Sequence, residues 1–456
     1  MAAKSNQFLY LPMNVITRMT ILSQIKPNLI NYLLGEDRLI KRRERSEKRR
    51  IKCKEPHILT VYLAINDPNS YLLLQVIPEL NRRYRVLFKY KTILDKQAMM
   101  FPEPQLWNAN TLKDGANMAK LYGLKPPELA TSNGALNNQA SLQLVSIESQ
   151  DDFIDKARVV FDAYLSGDSE VLSRLASVKT TTQESPLSQK LRNNEVDLLK
   201  NKHYLPGTIH YGDEWYWGLE RLQYLEERLN DLGLSDKPQV KYAKLHQHLL
   251  PLNDKKACQP SSRNKLTIYF SIRSPYSYLG LNRASSLAKH YGLELEIKPV
   301  LPMLMRNMQV PKNKGRYIAQ DTKRESLKFN IPFGKIADPL GKGVERCYAL
   351  FEYAKAEGKE ESFFLNYARC VWSEGILSET DTGLKHIVQT SGLDWKHAQS
   401  LLNDSSWRQW TEENLKELYR LGLWGVPSFK FEKTTVFGQD KLLFIEHAIR
   451  RSLQLD

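Results

Sequence analysis

The stretch TIYFSIRSPYSYLGL, residues 267–281, begins as a run of β-formers and passes into apolar residues at helical spacing. Thr267 to Phe270 read as a strand, and the chain from Pro275 onward reads as a helix, so Ser274 stands at the junction. The pattern occurs twice. TVYLAINDPNSYLLL, residues 60–74, lies over it at an offset of 207 with no gap, identical at 8 of 15 positions: Thr60, Tyr62, Ile65, Pro68, Ser70, Tyr71, Leu72 and Leu74. The match runs on through Leu80 over Leu287, Tyr84 over Tyr291, Lys91 over Lys298 and Leu94 over Leu301. Both copies then enter a second strand, VLFKYKTIL (86–94) and LELEIKPVL (293–301). A strand–helix–strand unit with apolar strands is a parallel βαβ crossover.

The two copies also close alike. YLPGTIHYGDEWYWGLERLQYLEERL (204–229) matches GVPSFKFEKTTVFGQDKLLFIEHAIRRSL (425–453). Pro206 lies over Pro427, Glu220 over Asp440, Arg221 over Lys441, Leu222 over Leu442 and Glu226 over Glu446. Each copy therefore ends X-Pro, strand, strand, acid-led helix. Helical patterns fill roughly 100–200 and 303–420 between opening and closing. The polar, turn-rich residues 231–264 read as a linker, and 180–189 as a loop. Ahead of the repeat, Leu22, Ile25, Leu29, Tyr32 and Leu33 form an apolar stripe, with breaks expected at Pro27 and Gly35. The domains expected are a basic helical arm (1–56), a first domain (57–230), the linker (231–264) and a second domain (265–456).

Composition narrows the class. The 456 residues suit two or three domains, and 42% apolar content is ordinary for a globular chain. No run approaches the length of a membrane-spanning helix. The N-terminus has no apolar segment followed by a small-residue cleavage site, so a secretory leader is not expected. Its lack of acids before Glu36 leaves a transit segment open. Cys53, Cys258, Cys347 and Cys370 are scattered, with no CxxC pair and no zinc framework, which fits a reducing, cytoplasmic setting and no metal. His246 and His248 make an H-x-H pair without a third ligand, read as a surface pair. The net charge is +15, and residues 38–54 carry ten Lys/Arg against two Glu. That arm suits nucleic acid or an anionic surface by charge alone. It lacks interleaved aromatics and a recognition motif, so a solvated helix that docks a partner fits better.

The order βαβ, helical insertion, X-Pro–β–β–α resembles a thioredoxin fold with a DsbA-type insertion. FSIRSPYSYLG (270–280), WGVPSF (424–429) and FGQDKL (437–442) resemble the group of 2-hydroxychromene-2-carboxylate isomerases and kappa-class glutathione transferases. RYIAQDTKRESLKFNIPF (316–333), DPLGKGVERCYALFEYA (338–354) and VWSEGILSETDTGLKHI (371–387) agree with it. The resemblance covers 265–453 well, covers 57–230 only through the repeat, and leaves out 1–56. It implies an α/β protein of two tandem thioredoxin-like domains, each with a DsbA-type helical insertion, behind a basic helical arm.

Ser274-Pro-Tyr-Ser277 has the spacing of a C-P-x-C redox motif with serine at both cysteine positions. A strand-to-helix junction stabilises an anion through free N–H groups and the helix dipole, and thiolates are the anions this fold handles. This chain supplies no thiol there. The resemblance implies glutathione as cofactor and Ser274 as the residue that hydrogen-bonds its thiolate. Ser274 as a plain helix N-cap is compatible with that role. The resemblance also implies a cis Val426–Pro427 bond whose Val426 backbone pairs with an extended peptide. Gln439 and Asp440 would meet the γ-glutamyl end, or alternatively cap the last helix. Arg306, Asn307 and Lys312 follow the second strand and are candidates for a substrate or glycyl carboxylate, with a solvated loop as the alternative. Tyr317, Asp321 and Arg324 fall on one helical face, as a substrate wall or a surface Asp–Arg pair. In the first copy Asp67 replaces the serine and would repel a thiolate, so 57–230 reads as degenerate, with Leu205-Pro206 and Glu220 keeping the site's outline. Ser70 and Ser277 read as structural.

Three functions compete. One is a glutathione-dependent isomerase or transferase acting on a small unsaturated aromatic-derived substrate. The second is a non-catalytic thioredoxin-like scaffold that binds extended segments. The third, a disulfide oxidoreductase, conflicts with the missing cysteines.

Overall fold

The computed structural model describes residues 25–94, 98–128, 134–175, 185–246, 249–250 and 265–455. Two four-stranded sheets appear, ordered β2-β1-β3-β4 and β6-β5-β7-β8. In the first, β1 (Ile58–Leu63) runs parallel to β2 (Leu87–Thr92) and antiparallel to β3 (Thr208–Tyr211), which pairs with β4 (Glu214–Trp217). In the second, β5 (Lys265–Phe270), β6 (Glu294–Pro299), β7 (Ser428–Phe431) and β8 (Thr434–Phe437) repeat those directions. The arrangement is mixed α/β and thioredoxin-like, and the same strand order and directions recur in both sheets.

The registers coincide as well. Ile58 faces Leu87 and Lys265 faces Glu294, while Tyr62 faces Thr208 and Tyr269 faces Ser428. Identities found in the repeat become matched contacts. Tyr62 and Lys91 both hydrogen-bond Asp197, and Tyr269 and Lys298 both hydrogen-bond Glu417. Tyr84 donates to Glu226 at 3.5 Å, and Tyr291 to Glu446 at 2.8 Å. The register also corrects one alignment. Because Thr208 occupies the place of Ser428, Gly207 rather than Pro206 is the counterpart of Pro427. Both backbones accept there from the next glycine, Gly218 to Gly207 and Gly438 to Pro427.

The crossover helices Pro68–Arg83 and Pro275–Tyr291 are driven onto their sheets by apolar faces. Leu72, Leu73 and Leu74 in one and Leu279 and Leu281 in the other are fully buried, each contributing roughly 1.5–3 kcal/mol. Gly280 lets its helix approach the sheet closely, since a Cβ there would lie 3.1 Å from Pro427 and 3.0 Å from Phe429. Residues 231–246 are not a loose linker. Leu234, Tyr242 and Leu245 are buried in the first core, and Glu226 accepts from the Lys241 and Tyr242 amides at 2.9 Å. Residues 251–264 and His248 lie outside the described residues.

Two compact units result. Among the described residues, one holds both sheets (within 40–321 and 408–455), and the other holds 25–39 with 322–407. Within 322–407 the helices bury Phe363, Phe364, Tyr367, Leu384 and Ile387. In that helical unit the arm's helix runs through Pro27 and bends at Gly35. Pro27 and Asn31 pack on Gly375 and Gly334, while Ile25, Leu29, Tyr32 and Leu33 face solvent. The basic helix Glu36–Lys52 follows. Its Arg43 grips Glu214 with two bonds of 2.7 and 2.9 Å, so part of the arm's charge is neutralised internally. No described helix is long and apolar enough to cross a membrane.

Candidate active site

β5 ends and the helix Pro275–Tyr291 begins at Ser274, as the sequence requires. Its Oγ accepts from the Ser277 amide at 3.1 Å, the N-cap bond, and donates to the Val426 carbonyl at 3.5 Å. An ordinary O–H···O bond is about 2.7–2.8 Å long, so the hydroxyl proton is weakly held and can turn to another acceptor. Ser274 and Val426 are half-buried, and the Val426–Pro427 peptide is cis. Ser277 is fully buried and takes the Ser271 amide at 3.4 Å, as Ser70 takes the Ala64 amide at 3.0 Å; both serines are structural.

Gln439 and Asp440 lie at the start of the last helix, but both already have partners. Arg283 donates to the Gln439 side chain at 2.7 Å and also to its carbonyl. Asp440 takes Arg221 Nη1 at 2.8 Å. Arg221 is only 3% exposed and also bonds Asp321 through Nε (2.9 and 3.1 Å) and Nη2 (2.8 Å). Asp321 is fully buried and accepts from the Tyr276 hydroxyl at 2.7 Å. The chain of contacts therefore returns to the first turn of the Ser274 helix. Burial, then the Asp321 carboxylate, holds the Tyr276 phenol well above its usual range.

The exchange between halves is reciprocal. Arg221 of the Glu220-Arg221 pair reaches Asp440, and Lys441 of the Asp440-Lys441 pair reaches Glu220. Burial pulls the Lys441 ammonium down, yet Asp440, Glu220 and Asp114 outweigh it and hold the group above its ordinary value. Burial pushes Asp114 up to about 7, Lys441 opposing and Glu220 and Asp440 adding to it. Arg221 and Lys441 carry no role in the reading of the sequence. The signal was present in an acid–base dipeptide at the same place in both copies.

The candidate substrate residues separate. Arg306 is half-buried and donates to the Trp424 carbonyl at 3.3 Å, two residues before Val426. Its Nε and Nη1 are buried with no hydrogen-bond acceptor among the described residues, and burial lowers its pKa. Asn307 is exposed in a left-handed turn, and Lys312 is exposed. Tyr317 does not line an open face: it is buried among Tyr62, Phe101, Tyr204 and Trp215, edge-on to His203 at 4.7 Å. Asp321 pairs with Arg221, and Arg324 belongs to the helical unit. A stripe read along one helix cannot reveal a cation arriving from a distant segment.

At the equivalent place in the first half, Asp67 caps the helix Pro68–Arg83 and accepts from the Ser70 amide at 2.8 Å and hydroxyl at 2.7 Å. Gly207 sits against it with φ +63°; a Cβ there would lie 2.5 Å from Asp67 Oδ2. Leu205-Pro206 therefore does not reproduce the Val426–Pro427 edge. A cavity of about 150 Å³ remains beside Asp67, lined in part by Asn108, Thr111, Asn137 and Tyr164.

Residues 265–450 match the DSBA-like thioredoxin domain family. Part of the chain is similar to named proteins. A 2-hydroxychromene-2-carboxylate isomerase of Pseudomonas putida is 24% identical over 191 residues, 40% of this chain and 93% of that protein. One of Sphingobium xenophagum is 23% identical, over 40% of this chain and 95% of that protein. A solved structure of a 2-hydroxychromene-2-carboxylate isomerase is 23% identical, covering 42% of this chain and 99% of that one with a TM-score of 0.37.

Proposed function

We propose that the chain is a tandem thioredoxin-like protein whose second domain catalyses a glutathione-dependent isomerisation or transfer on a small unsaturated aromatic acid. The observation that carries this reading is Ser274. A hydroxyl with a loosely held proton caps a helix N-terminus, beside the Val426 backbone, where the fold's own thiol would otherwise sit. Bound glutathione would supply the nucleophilic thiolate. The thiol end fits: Ser274 Oγ would turn its proton from the Val426 carbonyl to the sulfur, and the helix dipole would add to the same charge. The γ-glutamyl end must share Asp440 with Arg221, since Gln439 is held by Arg283. Arg306, with two buried N–H groups lacking acceptors, is the cation for a substrate carboxylate. The cytoplasm, where glutathione is abundant and thiols stay reduced, is the compartment this chemistry requires.

The first domain serves as a structural partner that carries Arg221 and Glu220 to the second. A scaffold function is the second reading, favoured by the partners already held by Gln439 and Asp440. The two separate in one assay. Unsaturated aromatic acids are incubated with and without reduced glutathione and followed by ultraviolet absorbance. The enzyme reading expects turnover only with the thiol, and a loss of about 10²–10³ in kcat for Ser274→Ala, the usual cost of removing one preorganised donor. Turnover unchanged in Ser274→Ala would refute the serine's role.

A further inference from the structure

The helical unit contains a cluster that the Ser274 chemistry does not use. The helix Glu360–Trp372 carries Cys370 in its last turn, and Glu374 lies just beyond its end. The helix Asp381–Thr390 brings His386 to the same place. One ligand atom from each of Cys370, Glu374 and His386 lies within 4.8 Å of the other two. The thiol donates to Glu374 Oε2 at 3.4 Å. Arg369 binds the other carboxylate oxygen, leaving Oε2 facing the sulfur.

The backbone holding these groups is fixed. One turn before Cys370, Asn366 clamps the second helix, donating to the Ile387 carbonyl at 3.1 Å, Thr390 Oγ1 at 2.7 Å and Ser391 Oγ at 2.9 Å. Beyond the helix, the amides of Ser373 and Glu374 return to the Arg369 carbonyl and that of Ile376 to Cys370. The terminus of Glu360–Trp372 also presents the negative end of its dipole, which favours a cation.

We propose that Cys370, Glu374 and His386 form a binding site for a zinc-class divalent ion, with water in the fourth position. Thiolate, imidazole and carboxylate together are a zinc set, whereas calcium and magnesium take oxygen alone. Ligand bonds of about 2.0–2.3 Å place tetrahedral ligand atoms roughly 3.3–3.8 Å apart. Cys370 Sγ and Glu374 Oε2, 3.4 Å apart, already have that spacing, so only the exposed His386 ring would have to close in, by up to about 1 Å. Cys370 is fully buried and forms the floor, and Glu374 and His386 lie toward solvent and leave an approach for the ion. On binding, the thiol proton leaves to buffer, one sulfur–metal bond forms, and no group changes oxidation state. The sequence hid this site because its ligands have no zinc-finger spacing.

The test is cobalt(II) titration of the full-length, reduced chain, followed by displacement with zinc. The expected result is one cobalt per chain with a thiolate-to-cobalt charge-transfer band. The band is lost in Cys370→Ser, kept in a Cys53→Ser/Cys258→Ser variant, and needs at least tenfold more cobalt in His386→Ala. His386 is on the surface, so that variant decides the matter even if Cys370→Ser fails to fold. Absence of a one-to-one band, a band that survives in Cys370→Ser, or an unchanged titration of His386→Ala would each overturn the site.

Discussion

Replacing Arg221 by alanine removes a side chain that bonds both Asp321 and Asp440. All three groups are buried, and the four bonds involved span 2.8–3.1 Å. Leaving one buried charge unpaired costs about 3–5 kcal/mol. Here two carboxylates lose their cation together, but Asp321 keeps the Tyr276 hydroxyl and Asp440 keeps Lys441 nearby. We therefore expect a loss of about 3–5 kcal/mol at pH 8 rather than double that. The orphaned carboxylates can take up protons, so the loss should shrink at pH 5. Equilibrium urea unfolding followed by far-UV circular dichroism and tryptophan fluorescence reads both numbers. Asp321→Asn in the Arg221→Ala background should recover part of the loss, since it removes one stranded charge. A loss below about 1 kcal/mol, in the range of an exposed ion pair, with the same value at both pH values, would refute the buried network.

Two further outcomes follow from the same geometry. Asp114, with a carboxyl raised to about 7, binds its proton more tightly folded than unfolded. Its contribution is present below pH 4 and is lost as pH rises toward 7, so Asp114→Asn should flatten stability over that window relative to wild type; identical pH profiles would contradict the shift. Gly280→Ala would place a Cβ 3.0–3.1 Å from Phe429 and Pro427, and should cost about 1–3 kcal/mol by overpacking, read as a lowered Tm. A neutral or stabilising result would show that the helix can retreat from the sheet.

Much of the architecture was legible because matching stretches let the sequence be read against itself. The coincidence of Tyr62 with Tyr269 and Lys91 with Lys298 located strands and, as it proved, their shared acid partners Asp197 and Glu417. Alignment failed by one residue at Pro206, where prolines were matched but strand register sets Gly207 opposite Asp67. Ser274 was legible because an N-cap is a local feature. Arg221 was not, because its partners lie 100 and 219 residues away and no local pattern encodes that distance. Tyr317 and Asp321 were recognised as one helical face, but the burial that decides their use comes from the first half's His203, Tyr204 and Arg221. The Cys370 cluster was invisible because the spacing of Cys370, Glu374 and His386 matches no metal-binding motif.

The central claim is that Ser274 holds the thiolate of a borrowed thiol. The direct measurement is calorimetric titration of reduced glutathione into the wild-type chain, Ser274→Ala and Asp440→Asn, with the ultraviolet thiolate absorbance of each saturated complex recorded at neutral pH. The account predicts saturable binding to wild type with a thiolate signal, a weakened complex in Asp440→Asn, and a complex without that signal in Ser274→Ala. No binding at millimolar glutathione, or an equal thiolate signal in Ser274→Ala, would contradict it.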